Sequence, residues 1–439
     1  MAKPRVALLF GNTAEHNSRA LRMASSLVEA GSEVTLVARA RPGLPDRESR
    51  HGYRIVRVPV PAGPRWLPAP PLPGPDATSA VRGASGARGA LREGPGRLAQ
   101  ALRFLFLART WADAIDGVVE PADAWQADGL VMLPVALELR RRHGGRVIYD
   151  SLEIHVESGR FARLPGPWKR ILARRERGWA READAVMTVS RPYADVIGPR
   201  LGVDPAIVMN CPPAPADLPR GDDSSAVVPA PGPASRPRRF NDLLGLPADV
   251  PVVLYHGFVF PHRGIERLFE GIALVPRAHL VVMGFGPRFD DYAARAAALP
   301  HADRVHVVPG VPPEELLRWV ASADVAAMPI EGNTLNHRLT TPNKLFEAMS
   351  AGVPVVASDL PGMAAIIRGT GAGVLCDPDD PADIARALRS ILEAPTSERE
   401  TYRARALAAA RSRYNWERQA EEYLAVYRRL GVILGTGEA

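Results

Sequence analysis

Short apolar runs alternate with amphipathic stretches along most of this chain. Such runs are typical of buried parallel strands, and the stretches between them repeat apolar residues at the spacing of one helix face. In the first half the predicted strands are Val6–Phe10, Glu33–Ala38, Arg54–Val58, Asp123–Ala127, Arg146–Asp150, Ala185–Val189 and Ile207–Asn210. The predicted helices there are Ser18–Ala30, Leu130–Arg142 and Trp168–Glu182.

The same pattern continues in the second half. The predicted strands are Val252–His256, Leu280–Met283, Val305–Val308, Val325–Met328 and Val353–Ala357. The predicted helices are Ile265–Leu274, Asp290–Ala298 and Pro313–Val320. Because strands alternate with helices in both halves, we expect the α/β class, with two doubly wound, Rossmann-like domains.

Two segments interrupt this alternation. Residues 211–240 are rich in proline, which indicates a linker or a disordered insertion. They separate a first domain at residues 1–210 from a second at 241–415. Residues 59–96 are rich in Pro, Gly, Ala and Arg and predict a long mobile loop.

An apolar stripe from Leu98 to Trp111 predicts a helix over Leu98–Ile115. A stripe at this spacing normally faces a core, which is the interpretation we favour. The arginines of the same segment leave a helix on a membrane surface open as the alternative.

Composition narrows the class of protein. A chain of 439 residues that is 46% apolar is long enough for two globular domains. Its two cysteines have no metal-ligand or disulfide pattern, so we expect a cytoplasmic location. The first apolar run is too short for a signal peptide, and no run reaches the ~20 apolar residues that span a bilayer.

The net charge of +7 is compatible with several partners. Nucleic acid is not expected, because no recognised binding module appears and aromatic residues make up only 6% of the chain. Contact with an anionic membrane surface stays open. We attribute the charge mainly to solvated surface arginines, with the binding of an anionic nucleotide as a contributor.

The segment from Thr341 to Ser358 carries the clearest chemical signal. Pro342 suits the start of a helix, and Gly352 suits its left-handed end. A helix N-terminus beside strand ends favours a bound phosphate. Glu347 lies one turn past Asn343, so that both side chains can face one ligand.

This segment reads Thr341-Pro342-Asn343-Lys344-Leu345-Phe346-Glu347 and continues into Ala-Gly-Val-Pro-Val-Val-Ala-Ser. It resembles the donor-binding motif of the GT4-like family of retaining glycosyltransferases, in its Pro-Asn-Lys-Leu-Phe-Glu subgroup. The resemblance implies the GT-B fold, in which two Rossmann-like domains face a cleft and the last helix, here in residues 416–439, packs back on the first domain. It also implies that Glu347 binds the nucleotide ribose.

Other positions of the second half match the donor site of that family. The resemblance assigns Arg263 to the donor diphosphate, and Gly257, Gly284, Gly286 and Val311 to the binding of the nucleotide sugar. Arginine suits this task because its planar guanidinium stays charged and makes paired hydrogen bonds to phosphate.

Two positions depart from the family pattern. Phe258 stands where a second arginine is common, so that phosphate contact is expected either to be missing or to be supplied elsewhere, by Lys344 or Arg338. Leu339 stands where many members have a first glutamate. The contacts to the donor sugar are then expected from Glu331, Asn333, Asn336, His337 or backbone amides.

The first half is expected to hold the acceptor side. Gly11 and Asn12 follow the first strand, at the edge where doubly wound sheets bind ligands, and the resemblance places them near the donor. Glu15, His16 and Glu153 are the candidate acceptor contacts. Asp150, Glu153 and His155 resemble a family strand end, although its usual histidine position holds Leu152.

The resemblance favours transfer at the front face of the donor, with the leaving diphosphate accepting the acceptor's proton. Its candidate catalytic residues are Arg263, Lys344, His155 and Asp150. No cofactor or metal is expected, because no cluster of His, Asp and Glu has ligand spacing. The sequence does not identify the donor base and sugar, the small-molecule or glycan acceptor, or the oligomeric state.

Three functions remain open at this point. The first is a retaining glycosyltransferase that uses a nucleoside diphosphate sugar. The second is another enzyme on this fold, such as a nucleotide-sugar epimerase; a phosphorylase would require a pyridoxal-binding lysine, for which we find no sequence context. The third is a non-catalytic scaffold that binds nucleotide sugars.

Overall fold

The computed structural model describes residues 2–15, 17–59, 107–162, 164–215 and 237–433. Contacts divide the chain into two units, which are Met1–Met209 with Ala420–Ala439, and Asn210–Gln419. Each unit contains one sheet with helices packed against it, so the predicted α/β class is confirmed. The division falls inside the last helix.

The first unit has an eight-stranded sheet of order β3-β4-β2-β1-β5-β6-β7-β8. Its strands are β1 Arg5–Phe10, β2 Glu33–Arg39, β3 Arg47–Arg50, β4 Tyr53–Val58, β5 Ala124–Asp128, β6 Arg146–Ser151, β7 Ala185–Thr188 and β8 Ala206–Ile207. Its helices are α1 Ser18–Glu29, α2 107–116, α3 Gly129–His143, α4 Gly159–Ala162, α5 Gly166–Glu182 and α6 Arg191–Leu201, with a 3-10 turn at His155–Glu157.

The strand β3 is an antiparallel edge strand that the sequence pattern did not predict. It pairs with β4 so that Arg50 lies opposite Tyr53, while the other strand pairs of this sheet are parallel. His51 and Gly52 form the tight connection, and both have positive φ. The four residues of β3 are polar and largely exposed, so they carry no apolar alternation that marks a strand.

The second unit has a six-stranded parallel sheet of order β11-β10-β9-β12-β13-β14. Its strands are β9 Val252–Phe258, β10 His279–Phe285, β11 Val305–Pro309, β12 Val325–Met328, β13 Val355–Ser358 and β14 Gly373–Cys376. Its helices are α7 Arg239–Leu244, α8 Ile265–Ala273, α9 Phe289–Ala297, α10 Pro313–Val320, α11 Leu335–Arg338, α12 Asn343–Ser350, α13 Pro361–Thr370, α14 Pro381–Leu392 and α15 Thr396–Ser412. The last helix, α16 Trp416–Arg429, begins in this unit and ends in the first.

The core of the second unit explains why the apolar positions of α8 form a helix that packs on the sheet. In α8, Ile265, Leu268, Phe269 and Ile272 recur at helical spacing and are all buried. They pack with the buried faces of β9 and β10 in one apolar cluster. Burial of such a stripe stabilises the helix much more than its intrinsic propensity does. This packing holds the carboxyl ends of the strands in fixed positions.

Helix α16 contacts the sheet of the first unit through two buried tyrosines. The hydroxyls of Tyr423 and Tyr427 donate to Gln126 Oε1 of β5, at 2.8 and 2.7 Å. A buried amide oxygen that accepts two hydroxyls is well satisfied, so this contact anchors the C-terminal half of α16 on that sheet.

Several predicted segments lie wholly or partly outside the described residues. The predicted loop at 59–96 lies outside them except for Pro59, and so does most of the predicted linker at 211–240. Of the helix predicted over Leu98–Ile115, residues 107–115 are described and helical, and Trp111 and Ile115 are buried. Within the described ranges, no helix is both long and apolar enough to cross a bilayer.

Candidate functional site

Glycines lie where β9 and β10 end in the second unit. Gly257 and Gly286 have φ values of +107° and +146°, which side-chain-bearing residues rarely adopt. A Cβ at Gly284 would collide with the carbonyl oxygen of Gly257. The backbones of the two strand ends therefore approach closely only because these positions lack side chains.

The helix α12 begins beside these strand ends. Pro342 is its N-cap, so it precedes the first turn instead of lying in it, and Gly352 follows the helix with a φ of +66°. The hydroxyl Oγ1 of Thr341 is buried and has no hydrogen-bond partner among the described residues. Buried polar atoms are rarely left unpaired, so this hydroxyl is available as a hydrogen-bonding group at the helix start.

Glu347 is anchored by a neighbour that sequence reasoning did not identify. Its Oε2 lies 2.9 Å from Nε2 of His256, the last buried residue of β9. The side chains of His256 and Glu347 are 2% and 14% exposed. The predicted ribose-binding carboxylate is therefore held at the base of the site, with limited access to solvent.

Lys344 is buried without a carboxylate partner. Its Nζ lies 3.5 Å from the centroid of the Tyr255 ring, a cation–π contact. Burial, followed by the nearby Arg263, lowers the pKa of Lys344 well below its usual range. A Cβ placed on Gly257 would lie 3.9 Å from this Nζ, so the amine faces the backbone of a predicted nucleotide-sugar-binding residue.

Arg263 lies in the connection between β9 and α8. The next residue, Gly264, has positive φ, and a Cβ there would collide with the carbonyl of Pro329. Within the described part of the chain, Arg263 forms no ion pair or side-chain hydrogen bond. Its charge nevertheless contributes to lowering the pKa values of Lys344 and His337. Two basic groups that repel each other, with the charge of Glu347 as a smaller opposing influence on Lys344, favour an anionic ligand.

The loop after β12 holds most of the side chains expected to contact the donor sugar. Glu331 Oε2 lies 2.6 Å from Nδ1 of His262, and Asn333 Oδ1 lies 2.7 Å from Nδ1 of His337. Burial, Arg263 and His262 lower the pKa of His337 to about 4. His337 is therefore neutral near pH 7.

The remaining predicted nucleotide-binding residues differ in their exposure to solvent. Asn343 is exposed at the start of α12, and Val311 is partly exposed after β11. Leu345 is fully buried and its N–H donates to the carbonyl of Pro342 at 2.9 Å. Since its side chain and amide are both engaged, Leu345 supports the helix start by packing.

Three exposed phenylalanines at this edge were not among the predicted site residues. Phe258, Phe260 and Phe285 are 43%, 41% and 52% exposed. Phe258 contacts the other two rings at centroid distances of 5.7 and 6.0 Å. The sequence signal is an aromatic residue directly after glycine at a strand end, which occurs in both β9 and β10.

An Asp-x-Asp triplet follows β14, at Asp377 to Asp379. The Asp377 carboxylate serves the local turn, because its Oδ1 accepts the Asp379 N–H at 2.9 Å. Asp383, outside the triplet, accepts the Asp377 N–H at 2.8 Å. Over the described ranges, no group of three or more His, Cys, Asp and Glu residues is arranged to hold a metal. Metal independence stays a prediction.

In the first unit, Gly11 and Asn12 follow β1, at the carboxyl edge as expected. Asn12 Oδ1 accepts the N–H of Ala14 at 2.9 Å, and this bond stabilises the positive φ of Ala14. Glu15 forms an exposed ion pair with Arg41 at 3.3 Å. His16 lies outside the described residues.

Asp150 occupies a buried ion pair. Its two carboxylate oxygens accept from Nε and Nη2 of Arg19 at 2.8 and 2.9 Å, and both side chains are almost wholly buried. A carboxylate engaged on both oxygens favours a positioning role over contact with reacting atoms. Nearby Asp128 has an unpartnered buried Oδ1, and burial followed by the charge of Asp150 raises its pKa well above the usual range.

His155 is locked into one neutral form. Its Nε2 accepts the backbone N–H of Leu130, in the first turn of α3, at 3.2 Å. Burial lowers the pKa of His155 to about 4, so the ring proton resides on Nδ1 near neutral pH. Glu153 is exposed and its carboxylate accepts the hydroxyl of Ser158.

The sequence matches two family descriptions that together cover both units. Residues 16–214 match the "Glycosyl transferase 4-like domain" and residues 250–394 match "Glycosyl transferases group 1". The fold resembles that of sucrose-phosphate synthase from Thermosynechococcus elongatus, with a TM-score of 0.69 at 18% identity over 98% of this chain and 99% of that one. The class is thus the GT-B fold of glycosyltransferases, as predicted.

The chain belongs to the GT4-like, group 1 glycosyltransferase family. It is 30% identical over 269 residues to a D-inositol 3-phosphate glycosyltransferase of Xylanimonas cellulosilytica, which covers 60% of this chain and 61% of that protein. It is 33% identical to the Nocardioides protein of the same name over 42% of this chain and 43% of that one. The matches thus span between about two fifths and three fifths of these relatives' length.

A second solved structure shares the fold. It is that of Anabaena HepE in complex with UDP-glucose, with a TM-score of 0.60 at 15% identity over 97% of this chain and 99% of that one. At this level of identity the likeness establishes the architecture alone.

Proposed function

We propose that this chain is a retaining glycosyltransferase that moves a sugar from a nucleoside diphosphate sugar to an acceptor nucleophile. The observation that carries the proposal is a pair of basic residues, Arg263 in the connection between β9 and α8 and the buried Lys344, whose Nζ faces Gly257 at the end of β9. Among the described residues neither of them forms an ion pair with a carboxylate, and the nearby charge of Glu347 offsets the lowered pKa of Lys344 only in part. A buried ammonium without a carboxylate partner is costly, and a diphosphate in this place would remove that cost.

The arrangement also suits the remaining parts of a nucleotide. Glu347 is placed one turn into α12 to accept hydrogen bonds from ribose hydroxyls, while the helix N-terminus favours the diphosphate. The unpaired Thr341 hydroxyl lies at the same helix start. The base lies towards Val311, where contacts come from the backbone.

The chemistry we propose is transfer at the front face of the sugar without a metal. The bond between the anomeric carbon and the diphosphate oxygen breaks, and the acceptor forms its new bond on the same face. The leaving diphosphate takes the acceptor's proton, while Arg263 and Lys344 stabilise the charge that develops on it. His155, a neutral donor through Nδ1, remains the candidate catalytic residue of the first unit.

The names of the related proteins suggest the first substrates to test. UDP-glucose is the ligand named for the HepE structure, and D-inositol 3-phosphate is named for the curated relatives. We therefore propose UDP-, GDP-, ADP- and dTDP-sugars as donors, and inositol phosphates as the first of the small-molecule or glycan acceptors. A cytoplasmic location, with or without peripheral membrane contact, completes the proposal.

Turnover distinguishes this function from its alternatives. Proton NMR of the protein with each donor and an acceptor mixture is expected to show one nucleoside diphosphate released and one product with the donor's anomeric configuration. Arg263→Ala should reduce that rate at least 100-fold, whereas Arg318→Ala, which removes an exposed charge from α10, should not. Inversion of the anomeric centre would contradict retention. Two other results would contradict transfer: an epimer formed without acceptor, or binding without turnover. The names of the relatives do not favour the epimerase.

A further inference from the structure

The hydrogen bond between His256 and Glu347 joins the end of β9 to the middle of α12, across 91 residues of sequence. At 2.9 Å between Nε2 and Oε2 it has the length of a good charge-assisted bond. His256 is 2% exposed, so little water competes for its ring. The bond therefore fixes the orientation of the Glu347 carboxylate before any ligand arrives.

The other oxygen of this carboxylate, Oε1, has no hydrogen bond among the residues that the structure describes. A glutamate on a helix surface has three freely rotating side-chain torsions, and ordering them on binding costs conformational entropy. Lys344, three positions earlier on the same helix, would be an alternative partner, because residues at this spacing are neighbours. Instead the carboxylate is bonded to His256, and Lys344 is left over the Tyr255 ring.

We infer that His256 is a positioning residue that preorganises Glu347, through Oε2, to bind the ribose hydroxyls of the nucleotide with Oε1. The inference rests on the proposed function, since it assumes a nucleotide whose ribose contacts Glu347. Supporting hydrogen bonds of this kind hold a binding group within a few tenths of an ångström of its working position. Ribose recognition then depends on a residue that does not touch the ligand.

The test compares two His256 variants against nucleotides with and without ribose hydroxyls. His256→Phe keeps the ring but removes the donor, whereas His256→Gln keeps an N–H at a similar reach. Calorimetry measures binding of UDP, GDP and ADP and of their 2′,3′-dideoxy counterparts to each protein. Circular dichroism and the thermal midpoint report whether each variant is folded.

We expect His256→Phe to weaken binding of the hydroxyl-bearing nucleotide roughly 10-fold, the size of one lost hydrogen bond to a charged group. Its affinity for the dideoxy nucleotide should stay within about 2-fold of the unmodified protein, and His256→Gln should restore most of the loss. Equal weakening for both nucleotides, or no weakening in His256→Phe, would overturn the inference while the donor site stands. No binding of any nucleotide to the unmodified protein would instead overturn the proposed function, and this inference with it.

Discussion

Replacement of Lys344 by methionine is expected to strengthen the free protein and to weaken nucleotide binding. Methionine matches the length of the lysine stem, keeps its contact with the Tyr255 ring and removes the amine. In the free protein the lysine amine is buried, faces Arg263 and has no ion pair among the described residues. In the proposed function, the same group contacts the donor diphosphate in the complex.

The two effects have different sizes and opposite signs. Desolvation of an ammonium costs several kcal/mol, and a desolvated cation–π contact returns about 2 kcal/mol. We therefore expect Lys344→Met to raise the free energy of unfolding of the ligand-free protein by about 1–2 kcal/mol. Loss of one charge-assisted hydrogen bond to phosphate, worth about 1.5–3 kcal/mol, should weaken UDP binding about 10- to 100-fold.

Chemical denaturation and calorimetric titration with UDP, GDP and ADP measure these two effects. Lys169→Met is the matched control, because it removes the same formal charge from an ion pair with Glu157 in the first unit. That variant should leave nucleotide affinity unchanged. A Lys344→Met protein that is less stable and binds the nucleotide as well as the unmodified protein would refute the reasoning.

The lowered pKa of Lys344 adds a signature in pH. Between its folded pKa and its unfolded value the unfolded chain binds more protons, so the stability of the free protein rises with pH across that interval. A bound diphosphate favours the ammonium form, and binding in that interval should therefore take up a proton. Calorimetry in buffers of different ionisation enthalpy measures that uptake, which Lys344→Met should abolish.

Three further predictions concern the first unit. Arg19→Met leaves the buried Asp150 charge uncompensated and should destabilise the protein by about 3–5 kcal/mol. The double variant that also carries Asp150→Leu should lose much less stability. Equal losses for the single and the double variant in thermal or chemical denaturation would contradict this. Burial raises the pKa of Glu176 to about 7. The contribution of its protonation to the free energy of unfolding is therefore present below pH ~4.5 and is lost as pH rises through about 7. Glu176→Gln should flatten that part of the stability–pH curve, and an unchanged curve would contradict the prediction. His155 should remain a neutral Nδ1–H tautomer down to about pH 5 in ¹⁵N NMR, and a ring that titrates near pH 6.5 would contradict its burial against the Leu130 amide.

The fold was largely predictable because its strands are buried on both faces and therefore form continuous apolar runs. Val252–His256 and Val325–Met328 were recognised from such runs, and they are strands in the structure. The edge strand Arg47–Arg50 was missed because it is polar and exposed. The short helix Leu335–Arg338 was missed as well, since four residues carry no helical period.

The candidate site was predictable only where it follows a contiguous motif. Residues 341–347 indicated the donor site because turn, helix and carboxylate lie together in sequence. The contact of His256 with Glu347 spans 91 residues, and that of Arg19 with Asp150 spans 131. No periodicity or spacing encodes such pairs, because they arise when the parallel strands and their helices assemble. The same is true of the Tyr255 ring beneath Lys344.

The most direct test of the central claim, a nucleoside diphosphate site on the second unit, is a calorimetric titration with UDP, GDP, dTDP and ADP. The unmodified protein is measured beside Glu347→Ala, Arg263→Ala and the exposed-charge control Arg318→Ala. We predict that one nucleotide binds tightly, that the first two variants lose at least tenfold in affinity and that the control does not. Failure of all four nucleotides to bind, or equal binding by all the variants, would contradict the account.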